Sequence, residues 1–214
     1  IIKNENAYKL TINNCVIKDN IAFIGGAGLN AEFNLNNANA SQRGALTVTN
    51  TKFINNMSRF AAGIYSNTKL NTNVDIKVEG SLFDNNIVGD IPIPGFTQNG
   101  YSGAAAWFRS TDQGTDINID LVNNTFVNNV DGSTASTMNT SVRGVVLISK
   151  AATNFGVVTT NVANCIFWNN FFGTSSSNVR SITNSDKELP SPITVKNSID
   201  FYNFNDDSIG TKTA

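Results

Sequence analysis

The chain has 214 residues, of which 14% are charged, with a formal net charge of −1 and no histidine. That length suits one large all-β domain. The charge balance argues against nucleic acid and against an electrostatically held membrane as partners, and the missing histidine removes the commonest general base and the commonest zinc ligand. Asparagine supplies 35 of the residues, which demands either disorder or a structure that uses asparagine repeatedly; the regular recurrence of Val, Ile, Leu and Phe favours structure. The sequence opens "IIKNENAYKL", without a starting methionine, and has no signal peptide and no apolar run long enough to span a bilayer. We therefore expect no transmembrane segment, and we expect 1–214 to be a single domain excerpted from a longer protein.

Read in chain order, one segment returns: "LTINNCVIKDN" (10–20), "LTVTNTKFINN" (46–56), "IKVEGSLFDNN" (76–86), "IDLVNNTFVNN" (119–129) and "TNVANCIFWNN" (160–170), with "ITVKNSIDFYN" (193–203) matching in its first half. The slot filled by Ile17, Phe53, Phe83, Phe126 and Phe167 recurs at steps of 36, 30, 43 and 41 residues, the mark of stacked units with unequal loops. Each copy opens with the alternation of a half-buried strand, Leu46 and Val48 facing one way and Thr47 and Thr49 the other. A short second strand follows at the aromatic. A third is rich in small residues: "GGAGLNAEF" (25–33), "AAGIYSN" (61–67), "SGAAAWFRS" (102–110) and "RGVVLIS" (143–149). Three short strands per unit without helical periodicity predict a right-handed parallel β-helix, a pectate-lyase-like solenoid of about five coils.

On that fold the repeated letters have physical roles. Ile17, Phe53, Phe83, Phe126 and Phe167 should form a core stack, while Ile54, Asp84, Val127 and Trp168 point outward. Asparagine tolerates the left-handed backbone region of a corner, and its amide both donates and accepts, so Asn20, Asn56, Asn86, Asn129 and Asn170 should form a ladder along the axis. Gly26, Gly63, Gly103 and Gly144 would permit tight turns or close packing. Cys15 and Cys165 share one column with Thr51, Ser81 and Asn124 between them. Four strand spacings place them roughly 19 Å apart, too far for a disulfide. They should be separate thiols serving as small buried fillers.

The pairing of Phe-x-x-Asn, intact at 53–56, 83–86, 126–129 and 167–170, with a Gly-Gly-Ala segment at 25–27 resembles the repeats of chlamydial polymorphic membrane proteins, and related β-helical passenger regions of bacterial surface proteins and autotransporters. The resemblance implies a secreted or surface-displayed bacterial protein, typically adhesive. No membrane-barrel module is recognisable, so it lends no support to the autotransporter route itself.

Pectate lyases and polygalacturonases use the same fold, which makes a polysaccharide lyase or glycoside hydrolase the alternative reading. Their Gly-His-Gly, Arg-Ile-Lys, Asn-Thr-Asp and Arg-x-Pro-x-x-Arg motifs do not occur here. Asp112, Asp116, Asp120 and Asp207 are acidic candidates whose spacing on strands and loops is not a ligand geometry, so we assign no catalytic residue, metal or cofactor. Arg59, Arg109, Arg143 and Lys150 could supply a lyase base, but no carboxylate cluster is placed opposite them.

The remaining candidate is a surface. Registering the third strands puts Leu29, Ile64, Ala106 and Val146 inward and Asn30, Tyr65, Trp107 and Leu147 outward. Tyr65, Trp107 and Arg109 would then share an aromatic, hydrogen-bonding face suited to a glycan or a host or cell-surface protein, walled by the loop 88–103. The competing reading is a Trp107 covered by that loop. No capping helix is evident at either end, so adjoining domains or chains should cover the solenoid ends.

Overall fold

The computed structural model describes residues 9–34, 43–69, 72–89, 103–111, 115–132, 144–150, 156–172, 181–184, 193–200 and 212–213. The first coil contains β1 (Lys9–Asn13), β2 (Val16–Lys18), β3 (Ile21–Ala22) and β4 (Leu29–Asn34). The cycle returns as β5 (Arg43–Thr49), β6 (Lys52–Ile54), β7 (Met57–Ser58) and β8 (Ile64–Lys69), then as β9 (Asn73–Glu79), β10 (Leu82–Asp84), β11 (Ile87–Gly89) and β12 (Ala106–Ser110). It continues through β13 (Ile117–Val122), β14 (Thr125–Val127), β15 (Val130–Gly132) and β16 (Val146–Lys150), and β17 (Val158–Ala163), β18 (Ile166–Trp168), β19 (Phe171–Phe172) and β20 (Ile182–Asn184). β21 (Ile193–Lys196), β22 (Ile199–Asp200) and β23 (Lys212–Thr213) complete the described strands.

Each strand pairs in parallel with its equivalent one coil on, giving four sheets: a long sheet beginning at β1, a second through β2, a third through β3 and a fourth through β4. This is a right-handed parallel β-helix. It has four strands per turn rather than three. The Asn-Asn pair is the corner expected of it, but the chain leaves it as a separate short strand, such as Met57–Ser58, before reaching the small-residue strand that was expected next. No helix among the described residues is long and apolar enough to cross a membrane.

The core follows from parallel register. Phe53 pairs with Phe83, Phe83 with Phe126 and Phe126 with Phe167, so equivalent rings are one strand spacing apart. Their centroids are 4.9, 4.9 and 4.7 Å apart with interplanar angles of 7, 14 and 7°. Ile17 continues the column at the first coil, half-buried against Phe53. The long sheet adds Leu46, Val48, Val74, Ile76, Val78, Ile117, Ile119 and Leu121. Of the outward positions, Ile54, Asp84 and Val127 are half-buried and Trp168 is exposed.

The two asparagines of each corner do different work. The first takes the left-handed conformation: φ is 54° at Asn55, 52° at Asn85, 55° at Asn128 and 51° at Asn169, with Asp19 at 58°. The second is the rung, buried at Asn56, Asn86, Asn129 and Asn170 and exposed at Asn20 in the first coil. Asn20 donates from Nδ2 to Asn56 Oδ1 at 2.9 Å, and the next three steps, to Asn86, Asn129 and Asn170, are each 3.0 Å. Each acceptor oxygen also takes the backbone N–H of the preceding rung. Each Nδ2 from Asn56 onward also donates back to the carbonyl of the previous coil's core slot: Ile17, Phe53, Phe83 and Phe126. The rung amide therefore clips three successive coils. The expected ladder residues therefore build the inner ladder without taking the left-handed turn, while the left-handed residues form an outer one, Asn55 Nδ2 donating to Asp19 Oδ1 at 3.2 Å, Asn85 Nδ2 to Asn55 Oδ1 at 2.8 Å and Asn169 Nδ2 to Asn128 Oδ1 at 2.7 Å.

A second corner, between the first and second strands, was not singled out from sequence. Asn14, Asn50, Gly80, Asn123, Asn164 and Asn197 all have positive φ there. The next residue is the cysteine column, in which a side-chain atom of one coil accepts the backbone N–H of the preceding coil. Thr51 Oγ1 takes Cys15 N, Ser81 Oγ takes Thr51 N, Asn124 Oδ1 takes Ser81 N and Ser198 Oγ takes Cys165 N. Both thiols are free; Cys165 is buried, whereas Cys15, in the first coil, is exposed rather than the buried filler expected. Burial pushes the Cys165 thiol up, against hydrogen bonds from Asn124 that pull it down.

The four glycines do not form one column. Gly26 turns with φ of +63° beside Ala61, which has φ of 45° in the equivalent place. Gly63 pairs next to Gly28 and Ala105, where a Cβ would run into the Ala105 carbonyl and the Phe83 ring. Gly103 lies against Ala106 and Trp107, and the Gly144 carbonyl accepts from Ala104 N.

Asn86→Leu should cost about 3 kcal/mol by orphaning the buried groups of its neighbours. Asn85→Gly should cost a few tenths of a kcal/mol, since it keeps the left-handed backbone and loses only the exposed bond to Asn55 Oδ1, and Asn85→Ala should cost about 1 kcal/mol more. Urea unfolding of the three variants tests this split of roles. A thiol reagent at neutral pH should label Cys15 at once and Cys165 only after unfolding; equal labelling of both in the native state would contradict the buried, protonated state of Cys165.

Candidate functional site

The outer face of the fourth sheet has the register expected for it. Asn30 pairs with Tyr65, Tyr65 with Trp107 and Trp107 with Leu147, while Leu29, Ile64, Ala106 and Val146 turn inward. Tyr65, Trp107 and Arg109 are thus brought together. Trp107 is nevertheless only 5% exposed and Leu147 only 1%, forming with Ala61, Phe60 and Tyr65 an apolar cluster outside the main core. Trp107 meets the Tyr65 ring at 5.2 Å and the Phe60 ring edge-on at 6.0 Å, and donates from Nε1 to Ser149 Oγ at 2.6 Å. It does not offer a flat open face, because its register neighbours and the Phe60 corner pack over it. The loop expected to wall this face lies, apart from its first two residues and its last, outside the described residues.

Trp107 instead carries a cation. The Arg109 guanidinium sits 5.3 Å from its ring centroid, a separation at which the ring's quadrupole attracts the charge. One row further along the strands, Glu32 pairs with Asn67 and Asn67 with Arg109, then Arg109 with Ser149. Lys69 closes a 2.7 Å ion pair with Glu32 across the first two of these strands. Asn67 is 7% exposed and its Oδ1 has no hydrogen-bond partner among the described residues. Sequence reading missed Asn67, Glu32 and Lys69. The signal was available, since a strand that turns Tyr65 outward turns Asn67 outward too.

The long sheet's outer face is polar and paired across coils. Arg43 meets Asp75 at 2.8 Å, Asn118 Nδ2 donates to Asp75 Oδ1 at 2.9 Å, and Asn161 Nδ2 donates to Asp120 Oδ1 at 3.2 Å. Burial works to raise the Asp75 carboxyl, but hydrogen bonds from Arg43 and Asn118 and the Arg43 charge outweigh it and hold the group below its ordinary value. Lys77, raised by Glu79, pairs with that carboxylate at 2.7 Å. Asp116 accepts the Val157 N–H at 2.8 Å. Asp112, Asp207 and Arg143 lie outside the described residues; Arg59 lies over the Phe60 ring at 5.4 Å. Among the described residues, no group of three or more Cys, Asp or Glu side chains is placed to hold a metal ion.

Comparison with protein-family models, with curated proteins and with solved structures finds no match.

Because Trp107 is packed rather than presented, Trp107→Ala should lower stability by about 3–5 kcal/mol, the cost of emptying a buried aromatic site. Tyr65→Ala, removing a half-buried ring, should cost less. Thermal or urea unfolding of the two variants decides it, and a Trp107→Ala protein as stable as the parent would return that ring to the surface.

Proposed function

We propose that this chain is a non-catalytic structural and adhesive segment of a bacterial secreted or cell-surface protein: a rigid rod that displays outward columns and loops. The observation carrying this reading is the corner amide that clips three coils at each of its inner rungs, which suits a load-bearing stalk. The resemblance of the Phe-x-x-Asn repeats supports the location. The outer charges of the long sheet are spent on one another, as in Arg43 with Asp75, rather than converging on a reacting centre.

The first coil supports a further part of the reading, that adjoining domains or chains cover the ends. β1, β2, β3 and β4 are each terminal in their sheets among the described residues. Leu10, Ile12, Ile17 and Leu29 are only half-buried there, with Val16, Ile21 and Ile24 exposed around them. Such an edge offers unpaired backbone groups beside apolar surface, the condition that solenoids relieve with a cap.

Beads coated with the purified chain should attach to glycan- or cell-coated surfaces more than beads coated with an unrelated β-solenoid, and leave polysaccharides uncut. Unsaturated products or new reducing ends from a polysaccharide panel would replace this reading with that of a β-helical lyase or hydrolase. Attachment no better than the control would remove the adhesive role.

A further inference from the structure

A covered end needs an occupant, and the open face of the first coil defines it group by group. The residue that follows each corner donates its backbone N–H to the preceding coil. After the first corner, Lys52 gives it to the Cys15 carbonyl and Leu82 to the Thr51 carbonyl, and the later coils repeat this. After the second corner, Met57 gives it to the Asn20 carbonyl and Ile87 to the Asn56 carbonyl. Val16 and Ile21 hold these two positions in the first coil, so their N–H groups point to a coil that the described residues do not supply. The Asn20 amide is open on the same side. Asn56 takes two donors from Asn20 on its oxygen and returns one N–H to the Ile17 carbonyl, whereas Asn20 has no preceding coil with which to do either. The apolar side chains agree: Val16 and Ile21 are 60% and 72% exposed, while Leu82, Met57 and Ile87 in the same columns are half-buried.

We propose that this open face is a docking site for one further coil of the same repeat, laid on it in parallel register by a Phe-x-x-Asn segment of a partner chain. The inference rests on the reading above that the ends are covered, and specifies what covers this one. The occupant must offer a corner carbonyl to each of Val16 and Ile21, a core-slot carbonyl to Asn20 Nδ2, and a backbone N–H and an amide to Asn20 Oδ1. A segment with asparagine three residues after its core residue carries all of these. The second coil offers the same set to the third: the Thr51, Asn56 and Phe53 carbonyls accept, and Asn56 donates from N and Nδ2 to Asn86 Oδ1. The core residue of the added coil would stack on Ile17, and the alternating pair before it on half-buried Leu10 and Ile12. An amphipathic helix could cover those apolar residues, but its backbone groups are bonded within it, leaving the two N–H groups and the amide unanswered. A second copy docked through its own first coil would present the same Val16 and Ile21 donors instead of acceptors for them. Strand addition meets every demand, main-chain bonds supplying affinity and alternate side chains supplying selection.

The probe is a synthetic peptide of residues 46–58, LTVTNTKFINNMS, added to the whole chain. Cys15 is the reporter, because an added coil should bring it to the buried state that Cys165 already has in the same column. Saturating peptide should slow thiol labelling of Cys15 at least about tenfold, with Cys165 as the internal reference for intact folding. The peptide carrying Asn56→Leu should bind about tenfold more weakly, since it withdraws the amide donor from Asn20 Oδ1. In the protein, Val16→Pro should weaken the parent peptide similarly and leave the melting temperature unchanged, because proline at the first residue of an edge strand removes only the open N–H. Unchanged affinity in Val16→Pro would overturn the parallel register. Equal protection by the Asn56→Leu peptide, or by a scrambled one, would overturn the matched coil and leave the end covered by apolar surface of any kind. Protection of Cys15 without peptide, with self-association in sedimentation, would replace the partner segment by a second copy. If no peptide protects Cys15 and the chain stays monomeric with that thiol reactive, the reading that this end is covered fails as well.

Discussion

The described strands and corners answer to one constraint: each residue has its own equivalent as a neighbour, one strand spacing along the axis. Main-chain hydrogen bonds impose that spacing, and each column of side chains must then tolerate self-contact. Apolar columns satisfy it by stacking, as Phe53, Phe83, Phe126 and Phe167 do at centroid separations of 4.7–4.9 Å. Polar buried columns face a harder condition, since a group that only donates or only accepts would meet its own kind and leave both unsatisfied. An amide escapes this because it carries both functions. The inner rungs go further by giving one N–H forward to the next amide and one back to a core-slot carbonyl. Bulk and hydrogen bonding are thereby coupled: the carbonyl that the rung secures belongs to the same residue whose ring fills the core.

The same condition explains why the cysteine column is chemically mixed while the rung column is not. At the first corner the inner residue needs an acceptor for one backbone N–H, and its own donor can be discharged locally, as Thr51 does to the Thr49 carbonyl and Ser81 to the Glu79 carbonyl. Thr, Ser, Asn and Cys all meet that demand. At the second corner two donors and an acceptor with two bonds are required together, and asparagine is retained throughout. Cys165 is accordingly a thiol used as a small polar filler, and its burial keeps it protonated.

Most of the architecture was legible because its period is written in the residues that obey this constraint. The Phe-x-x-Asn copies gave the register of the second sheet, and the third strands gave the pairing of Tyr65 with Trp107. The fourth strand per coil was less visible, since Met57–Ser58 and its equivalents are two or three residues long and carry no alternation. The asparagine column at the first corner was hidden by Gly80, which meets the same left-handed requirement with a different letter. Exposure was the least legible property. A strand fixes whether Trp107 points outward, but whether it is wet depends on Phe60 and Tyr65, which approach from a corner and a neighbouring coil.

Function must therefore be sought where the axial rule is broken. Outward columns that repeat a charge pattern, such as Arg43 beside Asp75 beside Asn118, are self-neutralising and serve the scaffold. In the row of Glu32, Asn67, Arg109 and Ser149, Glu32 is committed to Lys69, the Arg109 guanidinium rests on the Trp107 ring, and the Asn67 amide oxygen has no hydrogen-bond partner among the described residues. Asn67 shares this with its strand neighbours Ser66 and Thr68, whose buried hydroxyls likewise have no hydrogen-bond partner among the described residues, so an unsatisfied polar group on this strand is not by itself a mark of recognition. Substituting a hydrophobic residue there would cost the fold nothing that the axial bonds supply.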